Sequence, residues 1–233
     1  MNNKTIKLKY NSGNVLSNKI HKIGIIALGS HRENHGAALP IDTDSKIAAN
    51  VTLNVATKTG ATFLGIFYGA TEYNYVKHGH HLTKDDLINN QIIPQLMNIK
   101  KQLDIETVII VNGHGGNNLI INDIETIAKK TNLKIIYNNS IIENEGPHAC
   151  TGELSMGKIL GITDKTRLQE HGNFKKHPEV GMIGLTLARE NEPIINKEVK
   201  IIEEKGFEIN EKLGKKLLEN AQKEIIDKIK SLL

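Results

Sequence analysis

The sequence predicts an α/β fold, a three-layer α/β/α arrangement around a mostly parallel sheet, and three observations carry that expectation. Short β-branched apolar runs recur along the 233-residue chain. Each run is continuous instead of alternating, the pattern of a strand covered on both faces. Amphipathic helical patterns separate one run from the next, so strand and helix alternate.

The elements follow in order. Strands are expected at Lys22-Ile23-Gly24-Ile25-Ile26-Ala27-Leu28, Thr62-Phe63-Leu64-Gly65-Ile66-Phe67, Thr107-Val108-Ile109-Ile110-Val111 and Lys134-Ile135-Ile136-Tyr137. Helical periodicity fills about 44–58, 84–103 and 117–130, the last ending near Asn132. After Ser140 the pattern loosens: 143–148 reads as a loop, 152–160 as a short helix and 163–178 as a polar excursion. A final helix over about 207–232 carries Leu213, Leu217, Leu218, Ile225, Ile226 and Ile229 on one side, a stripe that suits packing on the sheet or on a partner subunit. The length fits a single domain over 1–233.

Composition narrows the function classes. Net charge is +4, with Lys and Glu interspersed along helices, and no Arg-rich or aromatic-flanked basic block marks a nucleic-acid binder. The single cysteine, Cys150, excludes an intrachain disulfide framework and any multi-thiolate zinc site, and it suits a reducing cytosol; metal ligands must then be N and O. The start, Met1-Asn2-Asn3-Lys4, lacks an apolar h-region, and no window approaches the roughly 20 apolar residues of a membrane span, so the expectation is a cytoplasmic protein without membrane partners.

Three segments carry chemistry. Glu33-Asn34-His35 follows the first strand; residues i and i+2 of extended chain point the same way, so Glu33 and His35 can face one site, with Asp44 nine residues on. Val111-Asn112-Gly113-His114-Gly115-Gly116-Asn117 repeats the arrangement of strand, glycine loop and helix start, and two such loops can meet at one sheet edge. The third, His148-Ala149-Cys150-Thr151-Gly152-Glu153, sets an imidazole and a carboxylate five apart. A carboxylate can bridge two divalent cations that imidazoles cap, and a water held there deprotonates near neutral pH, so the set is a candidate two-metal hydrolytic centre. Taken singly, each segment also has a plainer reading as a solvated loop with a capping acid. The glycines of the second lack the final spaced glycine of a dinucleotide fingerprint.

Together the segments resemble the creatininase (creatinine amidohydrolase) family, with its Gly-Ser-x-Glu-x-His-Gly run, later Asp, Asn-Gly-His-Gly-Gly-Asn loop and His-Ala loop ending in Glu. The resemblance implies a creatininase-like fold, Glu33 and His114 on one metal, His35 and Glu153 on the other, Asp44 bridging, and His148 as the acid/base residue. Family members acting on creatinine carry an acid where this chain has Gly116, together with active-site tryptophans, and this chain has no Trp. Creatinine is therefore not the expected substrate.

The strings Pro40-Ile41-Asp42-Thr43-Asp44, Thr71-Glu72-Tyr73-Asn74-Tyr75-Val76-Lys77-His78-Gly79 and Pro178-Glu179-Val180-Gly181-Met182-Ile183-Gly184 look closer to an archaeal formylaminopyrimidine deformylase branch. That likeness implies hydrolysis of a formamide on a pyrimidine ribonucleotide, with formate released, in riboflavin and coenzyme F420 (deazaflavin) biosynthesis. It implies iron(II) with a second divalent metal such as zinc, and a homo-oligomer, dimer or higher. Departures are Ala37 where the family has Pro, and Lys77-His78-Gly79-His80-His81-Leu82-Thr83 where it has Phe-Pro-Gly-Thr.

His78, His80 and Asn117 are further candidates for substrate contact, with alternation sending His78 and His80 one way and His81 the other. Lys175, Lys176 and His177 are candidates for phosphate, against the plainer reading of a solvated pair. Two alternatives stand beside the deformylase reading: a family amidohydrolase with another small amide substrate, and a non-catalytic metal- or nucleotide-binding module.

Overall fold

A computed structural model describes residue 9 and residues 12–233, so the Met1–Lys4 run read above lies outside the described residues. Four strands, β1 (Ile23–Leu28), β2 (Thr62–Phe67), β3 (Thr107–Asn112) and β4 (Lys134–Asn138), form one sheet in the order β2-β1-β3-β4, with every pairing parallel. All four lie within a residue of the apolar runs that predict them.

The helices are α1 (Thr43–Thr59), α2 (Lys84–Asp86), α3 (Ile93–Leu103), α4 (Ile124–Thr131), α5 (Ile142–Glu145), α6 (Thr151–Leu160), α7 (Leu168–His171), α8 (Thr186–Asn191), α9 (Pro193–Lys205) and α10 (Glu211–Lys230). Side chains on successive strand positions take opposite faces. Ile25, Ala27, Ile109 and Val111 therefore pack with Ile47, Val51 and Val55 of α1 and Leu218, Ile225 and Ile229 of α10. Ile26, Leu28, Val108 and Ile110 pack on the other side with Leu96 and Ile99 of α3 and Ile127 of α4. Two apolar layers around one sheet give the expected three-layer α/β/α architecture. The stripe on the last helix is buried against the sheet, α1 and α6.

Several details depart from the sequence reading. The helix expected over 84–103 is interrupted by a π-helical stretch, Leu87–Ile92, and the one expected from Asn117 opens as a 3-10 segment, Gly115–Asp123. The last helix begins later than expected because Gly206 adopts φ +67 and Asn210 is the N-cap, accepting the Leu213 N–H at 3.1 Å. α8 and α9 were not expected. In β2, Ile25 pairs with Phe63 and Ala27 with Ile66, so β2 carries an extra residue; Gly65 at φ +84 makes that bulge. Among the described residues no helix is long and apolar enough to cross a membrane.

Candidate metal centre

β1 and β3 are neighbours in register, Leu28 opposite Asn112, so the chain leaves both strands at one edge of the sheet. The start of α1 enters between the two exits. A side-chain carbon on Gly29 would lie 2.7 Å from the Asp44 carbonyl carbon, and one on Gly113 would lie 2.8 Å from the Asp44 carbonyl oxygen. Only glycine at both positions lets backbone approach this closely, and the approach puts the Asp44 carboxylate over the sheet edge.

The segment bearing Glu33 and His35 is extended and pinned. Its backbone pairs with the 78–80 stretch, Asn34 N–H donating to His78 O at 2.8 Å and His80 N–H to Arg32 O at 2.8 Å. Glu33 and His35 face the same side, and Asn34 is exposed, as the i, i+2 spacing requires. His114 is held by its own loop: its N–H donates to Asn112 Oδ1 at 3.2 Å and its carbonyl accepts from Asn112 Nδ2 at 2.9 Å. Glu153 lies in the first turn of α6, where its Oε1 accepts the Ala149 N–H at 3.2 Å.

These five side chains converge, none more than 4% exposed. The two oxygens of Asp44 face different partners. Oδ1 is 2.7 Å from His35 Nε2, which is also 3.3 Å from Glu153 Oε2; Oδ2 is 3.0 Å from His114 Nδ1, which is also 2.8 Å from Glu33 Oε2. Three buried carboxylate oxygens, Glu33 Oε2, Asp44 Oδ2 and Glu153 Oε2, have no hydrogen-bond partner. Buried charged oxygens without donors are costly, and an N/O donor set packed this way fits divalent cations.

Each imidazole has one nitrogen tied to a backbone carbonyl and the other turned inward. His35 Nδ1 meets Glu33 O at 3.0 Å, His114 Nε2 meets Thr71 O at 3.1 Å, and His148 Nε2 meets Asn34 O at 2.9 Å. A carbonyl can only accept, so each tethered nitrogen carries a hydrogen, and in the neutral ring the inward nitrogen keeps its lone pair. For His148 that nitrogen is Nδ1, 3.7 Å from both Glu33 Oε1 and Glu153 Oε1.

The electrostatics reflect this crowding. Burial would raise Glu33, but the charge of His114 and the hydrogen bond from His78 hold it well below the usual carboxylate range. Burial likewise opposes charge on His35 and His114, and the neighbouring carboxylates, Asp44 and Glu153 for the first and Glu33 for the second, hold both well above the usual imidazole range. Burial pushes Glu153 up to about 7, with His35 pulling against it. Burial and the charge of His35 push His148 down to about 3.

The remaining candidates fall elsewhere. His78 is buried and bonds Glu33 through Nε2, so it braces a carboxylate. His80 is exposed and lines a shallow depression with Arg32 and Lys77. His81 joins His78 on the inner side, 3.6 Å from Glu33 Oε2, because residues 71–82 touch the core only through isolated bridges and never form the regular strand that alternation assumes. Asn117 is fully buried, its Oδ1 accepting the Thr71 N–H at 3.0 Å and its Nδ2 donating to Asn112 Oδ1 at 3.1 Å. Lys176 pairs with Glu170, His177 Nδ1 is 3.4 Å from Glu179, and neither these nor Lys175 lines the cavity over the centre.

Sequence reasoning gave no role to Glu72, His171 or Glu179. Glu72 lies 3.5 Å from His114 Nε2 and occupies the space a side chain at Gly116 would need. Buried His171 accepts the Ala38 N–H on Nδ1 at 3.1 Å and donates from Nε2 to Ala149 O at 2.8 Å; Glu179 accepts the Gly36 N–H at 3.0 Å. The signal available was the Pro178–Gly184 string itself, whose contacts are tertiary. Ala149, between His148 and the α6 cap, adopts φ +54, a conformation costly for a non-glycine residue and held here by bonds on both its N–H and its carbonyl. Cys150 is buried among Leu154, Val180 and Ile202, and burial pushes its thiol well up.

The chain matches the creatininase family, described as creatinine amidohydrolase, over residues 15–229. It is 77% identical, over 100% of both chains, to a 2-amino-5-formylamino-6-ribosylaminopyrimidin-4(3H)-one 5'-monophosphate deformylase of Methanosphaera stadtmanae. It is 49% identical to the deformylase of the same name from Methanothermus fervidus, covering 98% of this chain and 92% of that one. Among solved structures, a manganese creatininase superposes with a TM-score of 0.60 at 16% identity over 90% of each chain. A mutant creatininase of Zn-Zn type superposes with a TM-score of 0.62 at 15% identity, again over 90% of each chain. These solved structures share the fold.

Proposed function

The chain belongs to the creatininase family, and from that premise we propose that it is a metal-dependent amidohydrolase that deformylates 2-amino-5-formylamino-6-ribosylaminopyrimidin-4(3H)-one 5'-monophosphate, releasing formate and the 5-amino product. The observation that carries the metal assignment is Asp44, whose two oxygens face two separate pairs of one imidazole and one carboxylate. In this reading Glu33 and His114 would hold one cation, His35 and Glu153 would hold the other, and Asp44 would serve both. Iron(II) with a second divalent ion such as zinc suits these N and O donors.

When bound, such a pair of cations supplies Lewis acidity and lowers the pKa of water. The chain's own residues do the rest. His148 is the proton carrier: with Nε2–H tied to Asn34 O, its bare Nδ1 faces the reacting groups, takes a proton from the attacking water and returns it to the departing arylamine nitrogen. The tethers on His35 and His114 hold both rings in a fixed orientation. Gly116 and the absence of Trp argue against creatinine, and the identity to named deformylases supports the formamide.

The test is an anaerobic assay with iron(II) on the formylaminopyrimidine nucleotide, scoring formate and free arylamine together. Equimolar appearance of both is expected. Hydrolysis of a different amide with none of this one would overturn the substrate, and less than one bound metal per chain with no turnover would favour a non-catalytic module.

A further inference from the structure

Beyond its metal-facing floor, the cavity over the centre is walled by Glu72, Glu145, Glu192 and Glu198, and no lysine or arginine among the described residues lines it. A second, open cavity lies beside it and shares Glu72, Tyr73 and Val76 as a common wall. Lys77 and Lys84 line this second cavity with Thr83 and His81, and its acids are Glu72 and Asp85. Lys84 is partly neutralised by Asp123, 3.1 Å away, whereas exposed Lys77 makes no ion pair among the described residues.

The proposed substrate has two chemically opposed ends. Its pyrimidinone offers donors, the 2-amino group, the ring N3–H and the 6-amino N–H, which carboxylates accept. Its phosphate is a dianion that can only accept, and among the described residues the walls of this cavity offer it no lysine or arginine. The acid-lined space therefore suits the donor-rich ring better than the phosphate.

We infer that the substrate lies across both cavities, its donor-rich ring in the acid-walled space over the centre and its phosphate beyond Tyr73 in the neighbouring cavity, held chiefly by Lys77. Lys84 is the lesser partner because Asp123 already shares its charge. The phosphate subsite rests on the deformylase reading, and the experiment separates the two.

Metal-loaded wild type, Lys77→Ala, Lys77→Arg and Lys84→Ala are assayed on the nucleotide and on the corresponding nucleoside, following formate. Wild type should prefer the nucleotide. Lys77→Ala should lower kcat/KM for the nucleotide about 10-fold or more, mainly through KM, and move the preference for nucleotide over nucleoside towards one. Lys77→Arg should restore most of the preference, and Lys84→Ala should lose less than Lys77→Ala. Raised salt should weaken the wild-type preference. Wild type turning over both substrates equally, or Lys77→Ala lowering both by one factor, would refute the subsite while leaving the deformylase reading intact. Release of formate from neither substrate by wild type would overturn that reading and the subsite with it.

Discussion

Glu33, Asp44 and His114 stand where paired strands β1 and β3 end, while His148 and Glu153 stand on chain beyond β4 that has no strand beneath it. The first group is placed by backbone: strand register, the extended pairing of 33–35 with 78–80, and the close approach at Gly29 and Gly113. The second is placed by side chains reaching back to backbone, His171 to Ala38 and Ala149, and Glu179 to Gly36. The difference separates two ways of making a rigid site. One comes with the fold, and the other depends on a few individual hydrogen bonds that can be removed while the sheet stays intact.

Asp44 belongs to both halves, so Asp44→Ala should have the largest effect, abolishing formate release and metal retention together; two retained metals with full turnover would break the assignment. Glu153→Ala tests the division itself. Metal analysis should find one cation per chain, held by the strand-borne Glu33, Asp44 and His114, and loss of both would show that the halves do not hold metal independently.

His148→Ala comes next, with kcat lower by about 10²–10⁴-fold and both metals kept. A variant that loses metal instead would make His148 a ligand.

The smallest effect sharpens the comparison from the braced side. His171→Gln should weaken metal retention by about 10–100-fold, and the unpaired buried Ala38 N–H and Ala149 carbonyl should cost about 1–3 kcal/mol of stability. The pH dependence has a definite sign. Burial holds His171 below the usual imidazole range, so the folded protein keeps it neutral while the unfolded chain protonates it near pH 6.5. Its contribution is present above that pH and is lost as pH falls below it. Urea unfolding followed from pH 8 to pH 5 should show a shallower acid decline in His171→Gln than in wild type.

The same division explains what was legible in the sequence. Continuous runs such as Thr107–Val111 mark strands buried on both faces, and Glu33, His35, Asp44 and His114 sit at fixed offsets from them, so local pattern located them. The roles of Glu153 and His148 came only through family resemblance, because the chain around them has no strand to fix its direction. Helix α9 escaped notice because its charged residues outnumber the buried ones, Val199 and Ile202. Asn117 is a candidate substrate contact by its place in the glycine loop, and in the structure both its polar atoms bond the loops themselves. His171 and Glu179 have no local signal, since their partners lie more than 130 residues away in the chain.

An all-parallel sheet needs a crossover for every pairing, which makes its contacts distant along the chain and slow to form. The proposed cation sites draw on residues from Glu33 to Glu153: the one at Glu33 and His114 is incomplete until β1 has zipped against β3, and the one at His35 and Glu153 until α6 has docked beside α10. Metal capture is thus a clock for the end of folding. In refolding from denaturant, cation uptake should lag behind the return of helical signal, and added metal should slow unfolding more than it speeds refolding.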